Sequence, residues 1–108
     1  MEELRVYFFQ NMYLQGIHAG IQSQHTTAEM FVKYAPFEHK QSDILYDWAN
    51  HHKTTIVLNG GYTSNLQSIV DFLGHKDNKL PWAFFNESQD ALGGVLTNVG
   101  IVVPAKIY

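Results

Sequence analysis

The chain has 108 residues, an apolar share of 45% and no cysteine, which suits one globular domain and excludes a disulfide framework or a thiolate metal site. Ten acidic residues outnumber seven basic ones, so the formal net charge is −3 and the chain lacks the overall basic footprint of proteins that hold an RNA backbone. No apolar run is long enough to span a membrane, and the acidic start does not resemble a secretory leader, so we expect a cytoplasmic protein without membrane contact.

Hydrophobic patterning predicts elements in the order β-α-α-β-α-β-β. The first strand is predicted from Leu4 to Phe9, followed by a long helix from Leu14 to Tyr34 with Asn11 as its N-cap and Pro36 beyond its end. The later predictions are a helix from Asp43 to Asn50 capped by Ser42, a strand from Thr54 to Leu58, a helix capped by Thr63 or Ser64 and running to about Leu73, a strand from Trp82 to Phe85 and a strand from Val95 to Val103. Strands separated by helices predict a parallel core, and the short last connection predicts an antiparallel final pair.

The long helix carries two stripes of side chains at three- and four-residue spacing. The apolar stripe, which is typical of a face packed on a core, consists of Leu14, Ile17, Ile21, Ala28, Phe31 and Val32. The polar stripe beside it consists of Gln15, His18, Gln22, His25 and Glu29. Because a surface helix usually turns Lys and Glu to water, this mostly neutral stripe has two interpretations, a satisfied helix face or the lining of a ligand site.

The sequence predicts neither a metal site nor a cofactor. Phosphate-cradling loops of the G-x-x-x-x-G-K-[ST] type and nucleophile elbows of the G-x-S-x-G type are absent. His18 and His25 are two helical turns apart, about 10 Å along the axis, so they could reach one extended ligand but not share a metal. His51 and His52 are adjacent, and their rings are expected to diverge.

Ala19 to Phe31, with Gln22 and His25 in a Q-x-x-H pattern, resembles the first helix of type II peptidyl-tRNA hydrolases. The order of the other elements is also similar, from a tryptophan-bearing second helix to a final valine-rich strand. The following loop resembles that of small bacterial and phage relatives, at Phe85, Glu87, Asp90, Leu96 and Thr97. The resemblance implies a peptidyl-tRNA hydrolase-like α/β domain over residues 1–108, with a four-stranded mixed sheet flanked by helices.

The catalytic pattern of that family is not kept. Its lysine falls on His18, its aspartate falls near Asn86, and its arginine and threonine fall near Gln89 and Asp90. No side chain of fixed positive charge remains in either stretch, so tRNA phosphates lose their obvious partner. One hypothesis is still an enzyme that hydrolyses peptidyl-tRNA or a similar ester, with His18 as base and Asp90 as its orienting carboxylate.

The other hypothesis is a non-catalytic protein that holds a small nucleotide-like ligand, with tRNA a less favoured partner. Such a protein could sequester a nucleotide signal in a bacterium or an infected host cell, as viral anti-defence proteins do. In open α/β sheets ligands bind at the carboxyl ends of strands, here near Gln10, Asn59 and Asn86. Ligand contacts are expected from Tyr13, His18, Gln22, His25, Tyr62, Asn86, Glu87 and Thr97. We also expect a homo-oligomer, because a small domain rich in aromatic residues covers its apolar surface by pairing.

Overall fold

Four strands form one mixed sheet, and three α-helices flank it in the residues that the computed structural model describes, 3–14, 16–34, 40–87 and 95–105. The elements are β1 (Leu4–Gln10), α1 (Ile17–Lys33), α2 (Lys40–Asp47), β2 (Thr54–Asn59), α3 (Thr63–Leu73), β3 (Trp82–Asn86) and β4 (Leu96–Pro104). A π-helical turn over Trp48–His52 extends α2. The predicted α/β class and element order are confirmed, while Pro36 lies outside the described residues.

The strand order β2-β1-β4-β3 makes the core of the sheet only partly parallel. β1 and β2 are parallel, whereas β4 lies antiparallel between β1 and β3. The central place suits β4 because its residues are buried from Leu96 to Val103, as expected of a strand covered on both faces. β1, β2 and β3 all run in one direction, so their last residues, Gln10, Asn59 and Asn86, lie along one edge of the sheet, called here the carboxyl edge.

Each face of the sheet carries its own apolar cluster. On one face α1 and α2 pack against the sheet. The buried cluster that they form with it consists of Leu4, Val6, Phe8, Met30, Tyr34, Leu45, Trp48, Ala83 and Val102. On the other face α3 packs over Tyr7, Leu66, Leu73, Leu96, Val99, Ile101 and Val103. The predicted apolar face of α3 is confirmed, because Leu66 and Leu73 are buried and Ile69 and Val70 pack against the same cluster.

The predicted orientation of the long helix is wrong. α1 begins at Ile17 rather than Leu14, and its buried residues are Gln22, Ser23, Thr26 and Met30. The apolar stripe faces mostly outward, since Ile17, Ile21 and Val32 are 77%, 41% and 80% exposed. A helix can bury a polar face only where other groups form hydrogen bonds with it, because a buried polar group without a partner is costly. Those partners lie at the carboxyl edge and form the site described next.

The three predicted N-caps are also wrong. α1 is preceded by Gly16, whose φ of 60° favours glycine, while Asn11 stabilises the preceding turn instead. Ser42 is not at an N-cap position, because α2 already includes Lys40. Its side chain is buried within the helix. α3 has Tyr62 at its N-cap position, without a side-chain hydrogen bond. The first turns of α1 and α3 are thus formed without a side-chain cap.

Candidate ligand-binding site

A buried hydrogen-bond network joins α1 to the carboxyl edge through Gln22. Its side chain is 4% exposed, and its Nε2 donates to Glu87 Oε2 at 3.1 Å. The Thr97 hydroxyl lies 2.9 Å from Gln22 Oε1 and 3.1 Å from the Phe85 carbonyl oxygen. The structure therefore brings together three of the predicted site residues, Gln22, Glu87 and Thr97. Both ends of the Gln22 amide are already engaged within the protein.

A β-bulge explains why β4 offers polar side chains to α1. The pairing of β3 with β4 shifts between Phe85 and Asn86, which pair with Asn98 and Leu96, so Thr97 is the extra residue. In a regular strand Thr97 and Asn98 would point to opposite faces. The bulge lets both contact α1, Thr97 at Gln22 and Asn98 at Ser23. This local change of register supplies the partners that hold a polar helix face inward.

A second buried cluster lies one strand further along the same edge. Asn98 Nδ2 donates to Gln10 Oε1 at 2.8 Å and to Ser23 Oγ at 3.2 Å. Gln10 Nε2 and Asn98 Oδ1 are buried without a hydrogen-bond partner among the described residues. A buried donor or acceptor without a hydrogen bond costs about 1 to 3 kcal/mol. The cluster therefore keeps one donor and one acceptor that the described residues do not satisfy.

His25 packs rather than projecting into a cleft. Its ring lies edge-on to that of Phe85, with centroids 4.6 Å apart, and its Nδ1 is buried without a partner in the described part of the chain. His18 and Glu29 are exposed, and no hydrogen bond, ion pair or ring contact of His18 occurs among the described residues. The polar stripe is therefore divided between a buried, hydrogen-bonded residue, a packed ring and exposed side chains, while Gln15 lies outside the described residues.

Tyr13 and Tyr62 form an exposed aromatic pair beyond the carboxyl edge. They are 78% and 52% exposed, and their ring centroids lie 5.3 Å apart with planes at 52°. Asn11 fixes the first loop: its Oδ1 accepts from the Tyr13 N–H at 3.0 Å, and its Nδ2 donates to the Leu96 carbonyl at 3.1 Å. The Met12 N–H donates to the Gly61 carbonyl at 2.9 Å and joins this loop to the one after β2. Two predicted site residues thus meet on firmly held loops.

A groove of about 300 Å³ opens between the ends of β1 and β2, and the chain neighbours of Tyr13, Met12 and Leu14, contribute to its lining. The described residues that line it are Gln10, Asn11, Met12, Leu14, Val57, Leu58 and Asn59. Asn59 is exposed, and its Oδ1 accepts from the Gly61 N–H at 2.9 Å. The groove therefore combines apolar walls with side-chain amides. Charged residues are absent from its described lining.

Asn86 does not join this groove. β4 separates its strand from β1, which places β3 about 10 Å from β1. Asn86 lines a separate recess of about 420 Å³ that includes Glu29 and Lys33 of α1. The predicted pairing of His18 with Asp90 lies partly outside the described residues, because these do not include Asp90.

Sequence reasoning did not place Asn11, or the buried amides of Gln10 and Asn98, among the site residues. Their polar side chains were a signal, since Gln10 ends a mostly apolar strand and Asn98 lies within another. Among the described residues, no group of three or more His, Asp or Glu side chains could hold a metal ion, and no helix could cross a membrane. Neither a model of a known protein family nor a curated protein sequence matches this chain.

Proposed function

We propose that the chain is a non-catalytic binding protein with a type II peptidyl-tRNA hydrolase-like fold that holds a small nucleotide-like ligand at the carboxyl edge. The observation that carries this proposal is the exposed pair of Tyr13 and Tyr62, because the chain neighbours of Tyr13, Met12 and Leu14, line the groove between β1 and β2. Sequestration of a nucleotide signal is the biological role that such a site would serve without chemistry.

The aromatic pair supplies a stacking surface for a base. Every base has a π-face, and stacking on an aromatic side chain contributes about 1 to 3 kcal/mol per base. Because the loops of Tyr13 and Tyr62 are joined by hydrogen bonds, little ordering entropy is lost when a base binds. The two rings are tilted by 52°, so a base stacks on one ring and meets the edge of the other.

The groove suits the rest of a small ligand. Its volume of about 300 Å³ lies at the lower end of the range for small-molecule pockets. A side-chain amide such as that of Asn59 has both a hydrogen-bond donor and an acceptor, so it can bind the polar groups of bases and ribose. A long polyanion such as tRNA would need a row of cations, whereas the chain has a net charge of −3 and the described lining has no charged residue.

The surroundings of Gln22 and of His18 favour ligand binding over hydrolysis. Gln22 Oε1 and Nε2 are both used by Thr97 and Glu87, so this amide is not free to orient a substrate. A histidine base works best with an orienting partner, and among the described carboxylates none contacts His18. We therefore place His25 and Gln22 in the scaffold of the site and Tyr13, Tyr62 and Asn59 at the ligand.

The binding test begins with mass spectrometry of small molecules released from the purified protein by denaturation, followed by calorimetric titration with a panel of nucleoside monophosphates and cyclic nucleotides. Tyr13→Ala and Tyr62→Ala should each weaken the best-bound nucleotide about ten- to a hundred-fold. Phe72→Ala is the matched control, because Phe72 on α3 is as exposed as Tyr13, and it should leave affinity unchanged. Absence of any bound or titratable nucleotide would refute the proposal.

A hydrolysis assay tests the alternative. We expect negligible peptidyl-tRNA cleavage compared with an authentic type II hydrolase, because the catalytic lysine position holds His18. If turnover matched the authentic enzyme and vanished in His18→Ala, the enzyme hypothesis would replace the binding hypothesis.

A further inference from the structure

The outward face of α1 is an apolar strip that nothing in the described part of the chain covers. We call it the outer seam, and it consists of Ile17, Ile21, Gln24, Ala28 and Val32, all exposed. Their spacing places them on one side of the helix, opposite the buried Thr26 and Met30. Contiguous apolar surface of this kind marks an interaction site in a soluble protein.

The outer seam is symmetric about its middle. Ile17 lies as far before the midpoint, next to Gln24, as Val32 lies after it, and Ile21 and Ala28 are related in the same way. When two such helices pack antiparallel about a two-fold axis, each Ile17 meets Val32 of the other copy and each Ile21 meets Ala28. The two Gln24 amides then meet near the axis, where they can hydrogen-bond to each other. A surface that complements itself is what a two-fold interface requires.

The charged side chains of α1 are also compatible with an antiparallel pair of these helices. The outer seam itself carries no charged residue, so two copies of a chain with a net charge of −3 can meet there without direct repulsion. His18 and Glu29 stand on one side of the seam, because eleven residues are almost three full turns. In the antiparallel pair, His18 of each copy lies beside Glu29 of the other. A side chain that can carry positive charge thus faces a carboxylate, twice per pair.

We infer that the partner of this face is a second copy of the chain, packed α1 against α1, antiparallel, about a two-fold axis near Gln24. Gly20 and Ala28 leave room for close approach: apart from its chain neighbours and the backbone of its own helix, no atom of the described residues lies within 4 Å of the place where a Cβ on Gly20 would stand. None of the described residues that line the ligand groove belongs to α1. The pairing is therefore independent of the proposed nucleotide site, and the two can fail separately.

The size of the seam sets the strength of the pair. α1 has 17 residues and is about 25 Å long. One helix pair of this length buries less than the roughly 800 Å² per partner of a standard stable interface. The dimer is accordingly reversible, and it dissociates on dilution through the micromolar range.

Sedimentation velocity of the full chain from about 1 to about 100 µM should show a monomer–dimer equilibrium. Val32→Glu and Ile17→Glu should each raise its dissociation constant at least about ten-fold, because a carboxylate would be buried against apolar side chains. Phe72→Glu is the control, an equally exposed apolar residue on α3, and should change nothing. A monomer at every concentration, or dissociation caused by Phe72→Glu alone, would overturn the proposal.

Charge exchange distinguishes antiparallel from parallel packing. The double variant Ile17→Glu/Val32→Lys would place opposite charges together across an antiparallel pair, so it should recover the dimer lost in Ile17→Glu. In a parallel pair the same variant would place like charges together and stay monomeric, which would contradict the proposed geometry.

Cysteine cross-linking tests the same geometry without relying on affinity, since the chain has no native cysteine. Gln24→Cys should form an intermolecular disulfide with itself under mild oxidation. Ile17→Cys alone should not, because its two copies would lie about 20 Å apart, but it should cross-link when mixed with Val32→Cys. Self-linking of Ile17→Cys, or no linking of Gln24→Cys, would refute the two-fold axis proposed here.

Discussion

α1 and α3 pack on opposite faces of the same sheet and follow opposite rules. α3 turns Leu66 and Leu73 inward, as its apolar periodicity predicts. α1 turns Gln22, Ser23 and Thr26 inward and leaves Ile17 and Val32 outside. The difference lies in the surface that each helix meets: α3 meets Val99, Ile101 and Val103, whereas the first half of α1 meets the side chains of Thr97 and Asn98. The buried face of a helix is decided by its partner surface as well as by its own apolar stripe.

The largest effect should come from shortening an inward apolar residue of α3. Leu66 is fully buried, so Leu66→Ala should lower the free energy of unfolding by about 2 to 5 kcal/mol in urea denaturation. Ile17→Ala on α1, measured at a concentration that keeps the chain monomeric, should change it by no more than about 0.5 kcal/mol. Equal losses in the two variants would mean that α1 buries its apolar stripe after all.

A smaller effect should come from the polar inner face of α1. Gln22→Ala should cost about 1 to 3 kcal/mol of unfolding free energy, because the Thr97 hydroxyl and a Glu87 oxygen lose a partner. Gln24→Ala, on the exposed side of the same helix, is the matched control and should cost no more than about 0.5 kcal/mol at a concentration that keeps the chain monomeric.

A double-mutant cycle isolates the contact between α1 and the bulge. Thr97→Val should cost less in the Gln22→Ala background than in the native chain, by a coupling of about 0.5 to 3 kcal/mol. If the two substitutions were strictly additive, the hydrogen bond between Gln22 and Thr97 would not be what holds the polar face inward.

The smallest effect concerns the end of α1, where the Tyr34 hydroxyl donates to the Trp82 carbonyl and accepts from the Trp82 N–H, both at 3.2 Å. Burial raises the pKa of Tyr34 above its ordinary value near 10, although the hydrogen bond that its oxygen accepts from the Trp82 N–H offsets part of the rise. A raised folded-state pKa contributes stability that is complete below the unfolded-state pKa and is lost as the pH rises through the folded value. The unfolding free energy should therefore fall above pH 10, and less steeply in Tyr34→Phe.

Lys33 also contributes to the pH dependence of stability in this range, but its contribution has the opposite sign to that of Tyr34. Burial lowers the pKa of its ammonium, which lies 3.8 Å from the centre of the Trp82 ring, so the cost of its charge fades as the pH approaches 10.5. Both proteins in the Tyr34→Phe comparison keep Lys33, and its contribution cancels. Parallel pH profiles of the two proteins would show that Tyr34 does not carry the effect.

Local patterns predicted the elements because strands such as Leu4–Gln10 and the face of α3 are determined by their own residues. The inner face of α1 could not be predicted, since it depends on a bulge at Thr97 that arises from pairing with β3. The same limit applies to the site. Tyr13 and Tyr62 were expected to contact a ligand, but their approach to 5.3 Å depends on hydrogen bonds between loops about fifty residues apart in the sequence.

The central position of β4 has a consequence for how the chain acquires its structure. Leu4 pairs with Pro104, and in the described residues β3 has no strand neighbour other than β4. During synthesis β1 can pair with β2 early, but the sheet is completed only after the last strand leaves the ribosome. Contacts this distant along the chain slow folding, because a long loop must close before they form. Until then the inner edge of β1 and all of β3 remain open to wrong partners, so the nascent chain is most prone to aggregation just before its final strand arrives.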